Sequence, residues 1–165
     1  MTVVGLDLAA LSKNPTGFCL VDKEPITKLL YSDEEIINEI EKFKPSIVAI
    51  DAPLSLPKGR AKERKVEKQV RKLGIGILPP SLPAMRKLTL RAISLKKKFN
   101  SRGIIVIETF PHAVLQLNSL IAKKVTKLKF NTKHERDAYI CSLVAKAYVN
   151  GRAKTLGDQT GMIFY

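Results

Sequence analysis

The sequence predicts an α/β fold in which a mixed sheet carries helices on its faces. Two observations lead to this prediction. Short apolar runs of strand-like composition alternate with longer amphipathic segments along the chain. Their order is three strands, a helix, a strand, two helices, a strand and two helices, which is typical of a sheet that is partly antiparallel and partly parallel. The chain has 165 residues and no long linker, so we expect a single domain over residues 1–165.

The first part of the chain supplies four of the predicted strands and one helix. The turn cluster Asp22–Pro25 separates the second strand from the third, so the chain is expected to open as an antiparallel meander. Ser32 and Glu35 form a capping-box pattern that opens a helix over Asp33–Phe43, and Pro45 stops it. The predicted strands are Val3–Leu6, Thr16–Val21, Ile26–Tyr31 and Ile47–Ile50.

The rest of the chain is basic and mostly helical. Its first two helices carry lysine and arginine on one face and apolar side chains on the other. A second capping-box pattern, from Thr132 to Glu135, opens the last helix. The predicted elements are helices over residues 61–73, Ala84–Phe99, Ala113–Ala122 and 132–150, with a fifth strand over Ile104–Ile107.

The positive charge is concentrated in the C-terminal part. The net charge is +14, and residues 68–165 contain 19 Lys/Arg against four Asp/Glu, whereas residues 1–67 contain 10 against 11. This balance favours a polyanionic partner such as DNA or RNA, although solvated basic faces would give the same composition. The candidates for binding phosphate are Lys58, Arg60 and Arg64 after the fourth strand, and Lys68, Arg71, Lys87 and Arg91 on the basic helices.

Cysteine and histidine usage disfavours a zinc site and indicates no disulfide framework. Cys19 and Cys141 lie far apart and match no metal-ligand spacing, which suits a cytoplasmic protein. The N-terminus has no basic region ahead of its apolar residues, so it does not resemble a signal peptide. No apolar run is long enough to span a membrane, so we expect no membrane partner.

Three predicted strands run directly into a carboxylate. Asp7, Asp51 and Glu108 follow the first, fourth and fifth strands. If these strands are parallel neighbours, the carboxyl ends meet at one edge of the sheet, where ligands of α/β sheets bind. Asp137 lies on an otherwise apolar face of the last helix, so we expect it to point at the sheet. Clustered carboxylates repel, and oxygen ligands suit Mg²⁺ or Mn²⁺, so the four acids predict a metal site.

Each of these residues also has a simpler interpretation. Asp51 precedes an Ala-Pro pair, which is compatible with a turn role, and Asp137 is an acid in a first helical turn, where the helix dipole favours it. The repetition at three strand ends favours the metal site. His134, beside the second cap, and His112, just after the fifth strand, are candidates for proton transfer, and a purely structural role is open for both.

Five short blocks resemble one known family, the domain-of-unknown-function family 429, described as predicted nucleases of RNase H-like fold. The resemblance implies a five-stranded sheet of three antiparallel strands followed by two parallel ones, with helices on both faces and an acidic site across the strand ends. The blocks are residues 5–9 (GLDLA), 50–54 (IDAPL), 108–113 (ETFPHA) and 134–138 (HERDA), together with a middle block over 73–85 that contains LGI at 73–75, PP at 79–80 and Met85.

The leading hypothesis is metal-dependent hydrolysis of phosphodiester bonds in DNA or RNA. Asp7 would bridge two ions and Asp51, Glu108 and Asp137 would complete their ligands. The resemblance to RNase H-like nucleases implies products that carry a 5′ phosphate. The alternative is a nucleic-acid-binding protein of the same fold without catalysis, in which the acids are structural. An ATP-dependent phosphotransferase is disfavoured, because the chain is too short for two duplicated halves and has no glycine-rich phosphate loop.

Overall fold

The computed structural model describes all residues from Met1 to Tyr165 and contains seven strands and six helices. The strands are β1 (Val3–Asp7), β2 (Thr16–Val21), β3 (Pro25–Leu30), β4 (Ile47–Asp51), β5 (Ile105–Thr109), β6 (Thr155–Asp158) and β7 (Gly161–Phe164). The helices are α1 (Asp33–Phe43), α2 (Lys65–Lys72), α3 (Pro83–Asn100), α4 (Pro111–Leu117), α5 (Ser119–Val125) and α6 (Lys133–Val149). None of the helices is long and apolar enough to cross a bilayer.

The strands form one mixed sheet in the order β3-β2-β1-β4-β5-β7-β6. β1, β2 and β3 pair antiparallel, and β4 and β5 then join β1 in parallel. That arrangement agrees with the expected three antiparallel and two parallel strands. The predicted number of five strands is wrong, because a C-terminal hairpin of β6 and β7 extends the sheet beyond β5.

The C-terminal hairpin has a weak strand signal in the sequence. Each of its strands has four residues, and β7 pairs with β5 only at Glu108 and Thr109. Glycines occupy two of its eight strand positions, and glycine is depleted in strands. Ile163 is its one fully buried side chain. The hairpin is therefore fixed by what it packs against rather than by a local preference.

Helices cover both faces of the sheet. α1 and α3 pack on one face, against Leu6, Phe18 and Ile50 among others. α4, α5 and α6 pack on the other face, which includes Val3 and Ala49. Because successive side chains of a strand point to opposite faces, residues two apart along β1, β4 and β5 share a face.

Two predicted helices have different bounds in the structure. The helix expected over residues 61–73 begins at Lys65, because the Arg64 N–H is the N-cap donor to the Glu67 carboxylate. The helical segment expected over residues 113–122 is two helices, α4 and α5. Asn118 ends the first and caps the second by accepting a hydrogen bond from the N–H of Ile121.

α6 lies unusually close to β1 and β2, where glycines face it. A Cβ on Gly5 would lie 2.0 Å from the carbonyl oxygen of Ala138, and one on Gly17 would lie 2.0 Å from that of His134. Both distances are far below van der Waals contact, so only glycine allows this approach.

Both cysteines lie in the layer between α6 and the sheet. Cys19 is on β2 and Cys141 is on α6, and both are fully buried and free. Burial raises the pKa of the Cys19 thiol to about 12 and raises that of Cys141 well above its usual range. Both side chains are therefore protonated, unreactive core residues.

The close approach predicts that Gly5→Ala destabilises the protein although it adds a single methyl group. Overpacking of a tight core costs about 1–3 kcal/mol, and here the neighbour is backbone that cannot rotate away. Gly76→Ala is the matched control, because a Cβ there meets nothing within 4 Å, and its effect should stay within about 0.5 kcal/mol. Denaturant unfolding of the three proteins measures the difference. Equal stability of Gly5→Ala and the control would contradict the packing argument.

Candidate metal centre

Asp7 and Asp51 lie side by side at the carboxyl ends of two neighbouring parallel strands. Leu6 of β1 is in register with Ile50 of β4, so the next residue of each strand reaches the same edge of the sheet. Both aspartates follow by two residues a position that faces α6, namely Gly5 in β1 and Ala49 in β4. Alternation along the strands therefore directs both carboxylates towards α6.

The first turns of α6 bring a third carboxylate and a histidine to the same place. Asp137 is buried, and its negative charge contributes to raising the pKa of both Asp7 and Asp51. The His134 Nδ1 lies 2.7 Å from Oδ2 of Asp7. Burial raises the pKa of Asp7 above its ordinary value, and the hydrogen bond from His134 opposes that rise. These contacts depend on the glycine-lined approach of α6.

Glu108 lies at the same edge of the sheet but on the opposite face. In the β4–β5 ladder Glu108 is in register with Ile50, whereas Asp51 is in register with Thr109. Ile50 belongs to the core under α1 and α3, so the offset of one residue directs Glu108 to that face. Glu108 is thus at the predicted edge, and its charge acts on Asp51, but its side chain leaves the sheet on the face opposite to that of Asp51.

The Glu108 carboxylate is already paired with protein donors. Nη1 of Arg64 donates to its Oε2 at 2.8 Å, Nη2 donates to its Oε1 at 2.6 Å, and the Leu54 N–H donates to Oε2 at 2.8 Å. With both oxygens engaged by a bidentate guanidinium and a backbone donor, Glu108 is not free to bind a metal ion in this structure.

Arg64 is buried and cannot contact phosphate, which corrects the sequence prediction for this residue. Its guanidinium also donates to Glu67 and to the hydroxyl of Ser55, so no donor is left over. Burial lowers the pKa of Arg64, but the hydrogen bonds to Glu108 and Glu67 outweigh it and hold the pKa above its usual range. The hairpin closes over this group, since a Cβ on Gly161 would lie 2.7 Å from Nη1 of Arg64.

Asp51 is the one acid of the four that has no hydrogen-bonding or ion-pair partner. Asp7 is paired with His134, Asp137 accepts from Nε of Arg136 at 2.9 Å, and Glu108 is held by its arginine. Burial raises the pKa of Asp51 well above its ordinary value, and the charges of the other three acids raise it further. Within the chain only the charge of Lys133 opposes this rise, so a divalent cation beside Asp51 would favour its ionised form.

The oxygen donors of Asp7, Asp51 and Asp137 fit a hard divalent cation such as Mg²⁺ or Mn²⁺. No group of three or more His, Cys, Asp or Glu side chains is arranged to hold an ion in the structure. Asp7 contacts His134 and Asp137 contacts Arg136. His134 contacts only Oδ2 of Asp7 and Arg136 contacts only Oδ1 of Asp137, so the second oxygen of each carboxylate is left for an ion.

The other predicted binding residues divide into free and engaged side chains. Arg91 is engaged, because it donates to Asp33 and to the carbonyl oxygens of Ala9 and Tyr31, so its predicted contact with phosphate is wrong. Arg71 pairs with Glu63. Four of the predicted phosphate-binding residues are exposed and have no ion-pair partner, namely Lys58, Arg60, Lys68 and Lys87.

The two predicted histidines have different environments. His134 contacts Asp7, whereas His112 lies on the surface, where its ring is hydrogen bonded to Gln116. Two cations near the acids had not been predicted. Arg136 pairs with Asp137, and the charge of Lys133 acts on both Asp7 and Asp51. The signal that could have revealed them is their position in the first turn of α6, directly beside His134 and Asp137.

A cavity of about 530 Å³ opens beside the acids. Asp51 and Glu108 line one part of it, and Arg64 and Arg71 are also part of its wall. The rest is mostly apolar, with contributions from the loop between α2 and α3, from α3 and from the start of α4. The apolar lining residues include Ile77, Leu78, Met85, Leu88, Phe110 and Ile163.

Comparison with solved structures finds the same fold in RuvC of T. thermophilus, solved in complex with a Holliday junction substrate. The TM-score is 0.51 at 19% sequence identity, with 93% of this chain and 98% of that chain covered. RuvC has an RNase H-like fold, so the likeness confirms that fold for the present chain. No curated protein matches the sequence. The family model described as "Protein of unknown function (DUF429)" matches residues 5–135, and the chain belongs to that family.

Proposed function

We propose that this protein hydrolyses phosphodiester bonds of nucleic acid with divalent metal ions bound by Asp7, Asp51 and Asp137. The observation that carries the proposal is Asp51, a carboxylate with no partner that is surrounded by three other acids. A fold maintains such a repulsive arrangement at a cost, and a bound cation removes that cost. Glu108 has a positioning role in this proposal, because it fixes the backbone of Leu54 behind Asp51.

The residues of the site have distinct roles in the proposed reaction. Asp7, Asp51 and Asp137 would hold Mg²⁺ or Mn²⁺, which would supply an activated water and offset negative charge at the leaving 3′ oxygen. His134 orients Asp7, and with 44% of its side chain exposed it can pass a proton to the leaving group. Lys133 offsets part of the negative charge that the substrate phosphate meets at Asp7 and Asp51.

Nucleic acid is the proposed substrate because of the distribution of positive charge around the acids. Exposed Lys58 and Arg60 follow the Asp51 strand, Lys68 and Lys87 lie on α2 and α3, and Lys133 begins α6. Binding of a Holliday junction by RuvC supports a nucleic-acid partner for this fold. Whether the strand is DNA or RNA is left to experiment, since phosphate contacts read neither base nor sugar.

A binding protein without catalysis is the second candidate. It is favoured by the side-chain partners of three of the four acids, since Asp7 contacts His134, Asp137 contacts Arg136 and Glu108 contacts Arg64 without metal. Only the first candidate needs a metal ion for its activity, so cleavage of nucleic acid in the presence of Mn²⁺ distinguishes the nuclease from the binding protein.

Asp51→Asn should abolish metal-dependent cleavage and leave binding intact. The amide keeps the volume of the side chain but removes the charge that holds the ion, so we expect a loss of several orders of magnitude in rate. Asp7→Asn should behave in the same way. Asp22→Asn, in the exposed turn between β2 and β3, is the matched control and should cleave like wild type. The measurement uses labelled single-stranded, duplex and branched DNA and RNA with Mg²⁺ or Mn²⁺.

Two outcomes of that experiment would change the proposal. Cleavage that survives in both Asp51→Asn and Asp7→Asn would remove these residues from the site. Absence of cleavage by wild type on every substrate, with binding intact, would establish the non-catalytic alternative.

The raised pKa of Asp51 predicts a pH-dependent stability in metal-free buffer. The folded state resists ionisation of Asp51, so wild type loses stability as the pH rises from the unfolded-state pKa of about 4 through the raised folded-state pKa. Asp51→Asn avoids this loss. Its free energy of unfolding should exceed that of wild type at pH 8 and should match it near pH 4, because the shift matters only where the unfolded-state carboxyl is ionised.

Denaturant unfolding in EDTA at pH 4 to 8 measures this difference, and Mg²⁺ or Mn²⁺ supplies the control. Added metal should stabilise wild type at pH 8 and have little effect on the variant, because binding to the folded state alone raises stability. A variant that is less stable than wild type throughout would indicate that Asp51 has a structural partner instead.

Binding of nucleic acid should depend strongly on salt, because lysine contacts with phosphate release counterions. With about five contacts, the slope of log K against log salt on duplex DNA is expected near −4 to −5. Lys68→Gln should reduce the magnitude of that slope by about 1. Lys42→Gln is the control, since it lies at the end of α1 close to the start of β4, at the opposite edge of the sheet. A flat salt dependence would show that the basic surface does not contact phosphate.

A further inference from the structure

We propose that the cavity beside Asp51 holds an unstacked nucleobase of the strand that is cut, so that the protein selects nucleic acid with an unpaired or displaced nucleotide. This inference rests on the proposed function, since it places the base next to the phosphate that the acids would act on. The inference specifies which nucleic acids the protein selects, whereas the positive charge and the acids indicate only that the substrate contains phosphate.

The composition of the cavity matches a base better than it matches a phosphate. Its volume of about 530 Å³ is within the range of roughly 300–1,000 Å³ that is typical of small-molecule sites. The ring of Phe110 and the side chains of Ile77, Met85 and Leu88 supply apolar surface for the flat faces of a base. Its two arginines are already paired with carboxylates, so neither is free for a phosphate.

The loop between α2 and α3 carries exposed leucines around this cavity. Leu73, Leu78 and Leu82 are 52%, 60% and 41% exposed, and Leu78 lines the cavity itself. Apolar side chains that enter a base step unstack it, which is the use that other proteins make of exposed leucine and phenylalanine. Ile75 lies between Leu73 and Leu78 in the sequence, and its burial against α2 anchors the loop.

A protein partner is a less suitable occupant of the same surface. Asp51 and Glu108 line the cavity, so a partner side chain or a second copy seated there would cover the acids and exclude the substrate phosphate. A base of the substrate has the opposite effect, because it brings its own phosphate to the carboxylates.

The test compares a duplex that contains one unpaired nucleotide with the fully paired duplex of the same sequence. Stacking of one base on an aromatic side chain is worth about 1–3 kcal/mol, so wild type should bind and cleave the first duplex about tenfold better or more. Gly76→Leu should bring that ratio close to one, because Gly76 lines the cavity and has open space for a larger side chain. Leu78→Ser should reduce it, while Leu120→Ser should not, although Leu120, on α5, is even more exposed at 72%.

A second readout is independent of cleavage. The Asp7→Asn protein is bound to the same duplex with 2-aminopurine as the unpaired base, and protection of its fluorescence from a soluble quencher is measured. If the base is protected from the quencher in the Asp7→Asn protein and the additional change Gly76→Leu removes that protection, the inference is supported. This holds even if wild type cleaves no substrate, in which case only the proposed function fails. Cleavage of both duplexes at equal rates, without protection, overturns the inference and leaves the function standing. Dimers that Leu78→Ser dissociates would also overturn it.

Discussion

The contact between α6 and the first two strands is the constraint on which the site depends. At Gly5 and Gly17 the helix backbone lies where a β-carbon would be, so no side chain separates the two layers. Because the helix is this close, Asp137 and His134 reach the strand ends that carry Asp7 and Asp51. A larger residue at either glycine would push the helix outwards and separate the acids. Core packing and chemistry are therefore set by the same two positions.

A buried ion-pair network determines the other side of the site. Arg64 links Glu67 of α2 to Glu108 of β5, and the hairpin of β6 and β7 covers it. Burying these charges is expensive, and removing one partner of such a group typically costs about 3–5 kcal/mol because it leaves an uncompensated charge. The network therefore fixes α2, β5 and the hairpin relative to one another. It also engages both oxygens of Glu108, which is why the proposed metal site comprises three aspartates and not four acids.

Much of the fold could be predicted from local patterns, and the failures have physical reasons. Apolar runs located β1 to β5, and capping boxes located α1 and α6, because these signals lie within a few adjacent residues. The face of Glu108 depends on the pairing register of β4 with β5, and that register is not encoded in either strand alone. The burial of Arg64 depends on a hairpin almost a hundred residues later in the chain. Asp51 was placed at the site, but its lack of a partner could be recognised only from the neighbours of all four acids.

The two buried thiols make the integrity of the site observable. Cys19 and Cys141 are closed off by the same layer that joins α6 to the sheet, and both are protonated there. An alkylating reagent reaches the two thiols only in molecules in which α6 has separated from the sheet. Because Asp137 is also on α6, the same local opening separates Asp137 from Asp7. The rate of thiol modification under native conditions therefore measures how often local opening separates the acids. No label has to be introduced, since the chain contains no other cysteine.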